Sequence, residues 1–241
     1  AIPGHPIAMF YGHIFDGVYQ YTDFDKVGES YILKDGVPNN GNAREKIQPG
    51  DIKFKDINRD GVVNDYDLTI IGNPNPKHIG GFGNNFQYKN FDLNVFFQWS
   101  YGGDVLNANR IEFEGGDPNA RTSLNMFASF ANRWTPENQT NELYRIGGQG
   151  PAVYSSRTIE DGSFLRLKTV ALGYRLPNAW LKKINIKSLR VYASAQNLIT
   201  WTKYSGPDPE VSTRPTALTP SFDWSPYPRP RTITLGVDIS F

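Results

Sequence analysis

The chain has 241 residues, enough for one large or two small domains, and its net charge of +1 points to no polyanionic partner, so nucleic acid is not expected. Cysteine is absent, which excludes a disulfide framework, a thiolate zinc site and a cysteine nucleophile. No stretch approaches the roughly 18 consecutive apolar residues of a membrane helix, so any membrane span must be made of strands. An aromatic content of 14 % suits a barrel with interfacial girdles or a glycan-binding β-protein.

Ala1-Ile2-Pro3-Gly4 is not a signal peptide, so the sequence reads as a mature protein, a cytoplasmic one or a piece of something longer. Residues 1–78 read as a loop region whose sharpest motif runs from Asp56 to Asp67. Counting Asp56 as position one, oxygen-bearing side chains of Asp56, Asn58, Asp60, Asn64 and Asp67 fall at positions one, three, five, nine and twelve, with Gly61 at six. A hard cation needs six to eight oxygens, and a tight turn at Gly61 lets alternate side chains converge while Val62 offers its carbonyl. The expectation is a structural calcium held by Asp56, Asn58, Asp60, Val62, Asn64 and Asp67. Asp67 departs from the usual Glu, and an Asx-rich turn without metal explains the same residues.

The first strand is expected over 79–88, where Phe82, Phe86 and Tyr88 alternate, and Lys89-Asn90 joins it as a tight hairpin to the strand 91–101. In that second strand Phe91, Leu93, Val95, Phe97, Trp99 and Tyr101 share one face, and Asp92, Asn94, Gln98 and Ser100 the other, with Phe96 as the exception. Glu112 and Glu114 would face one side of an extended segment, a geometry that suggests a glycosidase acid pair, although solvated loop carboxylates explain them as well. Leu124, Phe127, Ala131 and Trp134 lie three or four apart, with Thr122 or Asn119 as a cap and Pro136 beyond, which predicts a short amphipathic loop helix packed on the loop's own core. The third strand, 163–174, changes apolar phase between Leu165, Leu167 and Val170, Leu172, Tyr174, so a bulge near Thr169 is expected. A fourth strand covers 188–200. The fifth, 231–241, places Ile233, Leu235, Val237, Ile239 and Phe241 on one face and Thr232, Thr234, Gly236, Asp238 and Ser240 on the other.

Connections alternate in length: two residues after Tyr88, about sixty after Tyr101, about a dozen after Tyr174 and nearly thirty after Trp201. Outer-membrane barrels have short periplasmic turns and long extracellular loops, so 102–162 and 202–230 read as extracellular loops and Lys89-Asn90 and 177–187 as periplasmic turns. The fold expectation is all-β, antiparallel, the carboxy-terminal part of a large transmembrane barrel. His5, His13 and His78 are dispersed without metal-ligand spacing, and Gly80-Gly81-Phe82-Gly83 matches no phosphate-binding fingerprint.

Several stretches in order resemble one known family. They are Gly50 to Asp56 leading into the calcium-type loop, Ile70-Ile71-Gly72-Asn73-Pro74-Asn75-Pro76, Arg133-Trp134-Thr135-Pro136-Glu137-Asn138, Phe164-Leu165-Arg166-Leu167-Lys168, Leu172-Gly173-Tyr174-Arg175-Leu176-Pro177, Gln196-Asn197-Leu198 and Pro228-Arg229-Pro230-Arg231-Thr232. They resemble the carboxy-terminal portion of the SusC/RagA-like TonB-dependent transporters of the Gram-negative outer membrane.

The resemblance implies energised import of oligosaccharides or peptides with a SusD-like surface lipoprotein. TonB would act through an amino-terminal part absent here, and the plug and the remaining barrel strands would lie outside this chain. It implies an outer-membrane location and no enzyme activity, with Phe241 as the outer-membrane assembly signal. Barrels of this type have roughly 22 strands, so five strands alone form no pore. The alternative is a soluble calcium-stabilised β-domain that binds glycans. Loop aromatics such as Tyr144, Tyr154, Trp201, Tyr204 and Trp224 could serve cargo, lid or packing.

Overall fold

The computed structural model of the protein describes residues 3–115, 124–151, 154–182, 185–213 and 216–241. In chain order its strands are β1 (Phe10–Gly12), β2 (Phe15–Val18), β3 (Phe24–Val27), β4 (Ser30–Leu33), β5 (Ile52–Phe54), β6 (Thr69–Gly72), β7 (His78–Tyr88), β8 (Phe91–Tyr101), β9 (Asp104–Asn107), β10 (Ile159–Asp161), β11 (Phe164–Arg175), β12 (Ser188–Thr202), β13 (Phe222–Asp223) and β14 (Thr232–Ser240). Among the described residues two α-helices accompany them, α1 (Asn109–Gly115) and the four-residue α2 (Asn178–Leu181). The chain divides into a sheet unit (75–103, 161–210, 227–241) and a loop unit (1–74, 104–160, 211–226).

The sheet unit is one antiparallel sheet in the order β14-β12-β11-β8-β7. Its registers align the alternating residues of all five strands. Phe82 pairs with Phe97, Leu167 with both Phe97 and Ile199, Leu172 with Leu93 and Ala193, and Leu235 with Ala193. One face is therefore apolar along its whole length, because side chains separated by two residues stay on the same side. Aromatic residues mark both ends of that face: Trp99, Tyr101 and Trp201 at one, Tyr88, Phe91 and Tyr174 at the other. At about 3.4 Å per residue, Phe91 to Trp99 covers roughly 27 Å along the strand, which strand tilt shortens toward the ~25 Å apolar band of an outer-membrane barrel.

The change of phase in β11 is a register shift between Leu167 and Thr169, present against both β8 and β12. Without it, Val170, Leu172 and Tyr174 would sit on the polar face. Phe96, the one aromatic out of phase in β8, covers two glycines of the neighbouring strand: a Cβ at Gly81 would lie 2.8 Å from its ring and one at Gly83 3.4 Å. An aromatic over a strand glycine fills the space the missing side chain leaves. The edge strands β7 and β14 carry no further partner among the described residues.

The loop unit carries the folded interior. Val18, Ile52, Phe54, Val63, Trp134, Leu143 and Tyr144 form one buried cluster, and Tyr19, Phe24, Leu33 and Ile47 a second. Short pairings hold them: β1 with β6, β2 with β5, β3 with β4, and β9 between β10 and β13. Gly50 sits at φ +91, and a Cβ there would come within 2.4 Å of the Trp134 ring, so only glycine serves both backbone and packing.

The connecting segments carry more structure than the sequence suggests. Residues 1–74, 104–160 and 211–226 gather into one unit, where the sequence reading set 1–78 apart from the loops 102–162 and 202–230. Those loops contain β9, α1, β10 and β13, because burying Val105, Leu106 and Ile111 needs backbone partners from distant segments. The expected loop helix is a five-residue 3-10 helix, Ala128–Asn132, with Leu124 and Phe127 exposed. Trp134 leaves the helical path, since its amide donates to Leu143 O at 2.8 Å and its ring joins the main cluster. The suggested caps Thr122 and Asn119 lie outside the described residues.

Candidate functional site

The Asp56–Asp67 loop folds around its own amides. Asp56 accepts from Arg59 N at 2.7 Å and Gly61 N at 2.7 Å, and Asp60 from Val62 N at 2.8 Å. Asn58 accepts from Asp60 N at 3.0 Å and donates to the Asp60 carboxylate at 2.8 Å. Gly61 at φ +86 makes the turn. Asp67, fully buried, accepts from Ile57 N at 2.7 Å and Asn64 N at 2.9 Å. Asn64 caps the 3-10 turn Asp65–Asp67 by accepting from Tyr66 N at 2.8 Å.

The residues expected to ligate calcium therefore lie in one loop, each side chain already engaged. Among the described residues no group of three His, Cys, Asp or Glu side chains is placed to hold a metal ion. A carboxylate oxygen has two lone pairs, so an amide bond on one leaves the other for a cation.

A second charged constellation lies on the polar face of the sheet, opposite the apolar one. Arg190 forms a two-pronged pair with Asp92, Nε to Oδ1 at 2.9 Å and Nη2 to Oδ2 at 2.6 Å, and reaches Asp238 at 3.1 Å. The pair crosses β11 at Gly173, where a Cβ would lie 2.5 Å from Arg190 Nη2 and 2.6 Å from Asp92 Oδ1. Farther along this face Arg166, 1 % exposed, binds Thr200 Oγ1 at 3.0 Å, Asp208 Oδ1 at 2.5 Å and Glu210 Oε2 at 3.1 Å. Glu210 also takes Arg229 at 3.0 Å. These groups went unsingled in the sequence, yet a signal existed: Asp92, Arg166, Arg190 and Asp238 all fall on the polar phase of long alternating strands.

In the loop unit Glu114 is a buried anion between cations, bonded to Arg157 Nη1 at 2.6 Å, Arg110 Nε at 3.0 Å and Ser129 Oγ at 2.7 Å. Burial pushes its carboxyl up, and the Arg110 charge, the Ser129 hydroxyl and Arg157 together overcome that, holding it below the usual carboxylate range. Asp51 goes the other way: burial raises it more than the Gln48 amide and Arg145 lower it. Arg145 Nε stands 2.7 Å from Asp51 Oδ1, an ion pair whose angle misses hydrogen-bond geometry. Burial also lowers the His13 imidazole, against the charges of Asp67 and Asp65.

The remaining sequence candidates separate. Glu112 and Glu114 are on helix α1, where residues two apart point to different sides, so the extended acid pair is not formed. His13 belongs to the loop unit and His78 to the sheet unit. Tyr144 is 1 % exposed and Tyr204 5 %, so both are packing residues, and Trp201 lies within β12 rather than in a loop. Tyr154 and Trp224 remain exposed on the loop unit.

No protein-family model matches the chain. It is 36 % identical over 243 residues to TonB-dependent receptor P3 of Formosa agariphila, covering 99 % of this chain and 22 % of that protein. It is 32 % identical to the TonB-dependent receptor SusC of Bacteroides thetaiotaomicron, over 82 % of this chain and 18 % of SusC. The RagAB peptide transporter superposes with a TM-score of 0.68 at 26 % identity, over 97 % of this chain and 22 % of that one. The chain thus spans about a fifth of the length of the relatives it matches. In sequence and in fold it corresponds to the carboxy-terminal barrel portion of the SusC/RagA-like TonB-dependent transporters.

Proposed function

We propose that this chain is the closing barrel segment of an outer-membrane importer that moves oligosaccharides or peptides inward, driven through TonB and working with a SusD-like surface lipoprotein. The observation that carries the reading is the sheet: one face apolar from end to end and bordered by aromatic rows, the other carrying Asp92, Arg166, Arg190 and Asp238. Such a face stabilises by contact with hydrocarbon, and such a polar reverse suits a water-filled lumen. The free edges of β7 and β14 call for neighbouring strands from the rest of the barrel. Similarity to TonB-dependent receptors and to a peptide transporter supports both location and role. In this reading Phe241 serves as the assembly signal and the segments 102–162 and 202–230 lie on the extracellular side.

The test is fractionation and uptake with the complete protein. It is expected to fractionate with the outer membrane, and cells lacking it are expected to lose uptake of labelled oligosaccharide or peptide. Recovery in the soluble fraction would refute the reading.

Calcium belongs to the same reading, held by Asp56, Asn58, Asp60, Asn64, Asp67 and the Val62 carbonyl, with rigidity of the loop as its role. Support comes from the donor chemistry, all oxygen, and from the turn at Gly61. Chelation should then speed proteolysis within 56–67. Unchanged cleavage would leave the loop closed by its amides alone.

A further inference from the structure

The wall of the Asp-rich loop opposite its acidic turn borders a cleft of about 670 Å³ inside the loop unit. Tyr11, Tyr66 and Tyr154 line it with rings that are 50 %, 84 % and 53 % exposed. Asp65 and His13 line it as well, and among the described residues no Lys or Arg does. The cleft's amides are spent internally: Asn40 donates to Ile52 O at 2.9 Å and accepts from Asn42 N at 3.2 Å, while Asn64 accepts from Tyr66 N at 2.8 Å and donates to Val62 O at 3.2 Å. What faces the cleft without an internal partner is the Asp65 carboxylate and three phenol rings. The Asp65 side chain has no hydrogen bond or ion pair among the described residues, and His13, 8 % exposed, buries its Nδ1 without a partner.

That inventory selects a class of ligand. Anions meet the exposed Asp65 carboxylate, and none of the described lining residues is a Lys or Arg that would hold them. A neutral glycan is held by several amide and carboxylate groups meeting its hydroxyls, and here each Asn already commits one N–H and one lone pair inside the fold. A cation gains from everything on offer, through charge-assisted hydrogen bonds to the carboxylate and attraction to the ring faces. His13 only walls the cleft, since its one unpartnered nitrogen is buried away from solvent.

We propose that this cleft, formed by Tyr11, His13, Asp65, Tyr66 and Tyr154, receives the ammonium or guanidinium group of a basic peptide side chain. The inference deepens the importer reading by naming a ligand chemistry at the loop unit, and rests on that reading only for the protein to be used.

The experiment is calorimetric titration of the complete protein in detergent with three probes. These are a capped Gly-Gly-Arg-Gly-Gly peptide, the same peptide with citrulline replacing arginine, and maltotetraose. Citrulline keeps the shape of arginine and removes the charge. The arginine peptide is expected to bind at least ten-fold tighter than the citrulline peptide, and Asp65→Asn and Tyr66→Ala should each weaken it ten-fold or more. Both side chains are exposed, and unchanged melting of the variants verifies that the fold is kept. Equal binding of the two peptides, binding unaltered in the variants, or binding of maltotetraose alone would overturn the proposal. Membrane fractionation of the same preparations separates the two readings. A soluble protein that still binds the arginine peptide through Asp65 refutes the importer and keeps the cleft; a membrane protein that does not bind it refutes the cleft alone.

Discussion

The two units of this chain solve the problem of apolar side chains in opposite ways. The loop unit buries its own: both hydrophobic clusters lie inside it, and its aromatic anchors Tyr19, Trp134 and Tyr144 are at most 5 % exposed. The sheet unit hides almost nothing. Among the described residues, only Phe164, Leu181 and Tyr204 of this unit join the buried apolar set, while Leu235 is 79 % exposed, Ile233 73 % and Phe82 57 %. A fully buried Leu or Ile side chain contributes about 1.5–3 kcal/mol, so the sheet's stability must come from surroundings the chain itself does not supply. One sequence thus encodes a self-buried core and an exposed apolar sheet face, and the two should fail under different perturbations.

The largest expected effect is in the loop unit. Replacing Glu114 by Ala strands Arg157, whose side chain is 5 % exposed, without its counter-charge. Losing one partner of a buried pair costs about 3–5 kcal/mol. Hydrogen exchange of peptides covering Trp134 to Leu143, which are joined by a backbone bond of 2.8 Å, should accelerate by about two to nearly four orders of magnitude. The sheet strands should exchange as before; equal acceleration in β8 and β12 would break the division into two units.

Next in size is a charge placed on either face of one strand. Leu235→Arg puts a cation on the apolar face at mid-strand and should cost about 2–4 kcal/mol of barrel stability. Thr234→Arg, one residue away on the polar face beside Ser194, should cost little. Denaturant titration of the folded barrel in vesicles measures both. Similar losses from the two variants would mean that the faces are not differently solvated.

How much of this was open to reading follows from the same contrast. The sheet strands announce themselves because a two-sided surface with oil on one side and water on the other imposes a period of two, and even the bulge showed as a change of phase after Leu167. The loop unit has no such period. The parallel pairing of Phe222 with Leu106 joins segments far apart in sequence, and only tertiary packing specifies it. Placing Glu112 and Glu114 on one side supposed an extended chain where α1 forms, since seven residues are too few for a helical period to declare itself. The Asp-rich loop was legible in residues but not in use: spacing located every oxygen, and whether amides or a cation satisfy them depends on geometry that spacing does not contain. The tyrosine-lined cleft could not be found this way, because Tyr11, Tyr66 and Tyr154 share no interval.

A smaller effect sharpens the role of glycine in the sheet. Gly173→Ala would drive a Cβ to 2.5 Å from Arg190 Nη2, and the flexible guanidinium, not the backbone, would give way. What is lost is the pair with Asp92, whose side chains are 25 % and 32 % exposed, so about 1 kcal/mol is expected. If Arg190→Ala alone costs as much as the double variant with Gly173→Ala, the glycine exists to let the pair cross β11.

The smallest expected effect is the pH dependence, and it belongs to the loop unit alone. Glu114 is held below its ordinary range when folded, so its stabilisation is present at neutral pH and is lost as pH falls through the carboxylate range. His13 is lowered from 6.5, so below about pH 6.5 the unfolded chain takes up a proton the folded one refuses, and stability declines there first. Asp51 has the opposite sign. Its folded carboxyl holds a proton to higher pH than the unfolded one, so acidification returns stability that ionisation had removed. The protection factor of Trp134, its exchange rate referred to the intrinsic rate at each pH, should therefore fall in two steps on acidification, near the histidine range and then in the carboxylate range. His13→Gln should erase the first step, and Asp51→Asn should deepen the second by removing the group that offsets Glu114. A single carboxylate step unchanged by His13→Gln would show that the imidazole is free to ionise in the folded state, contrary to its burial.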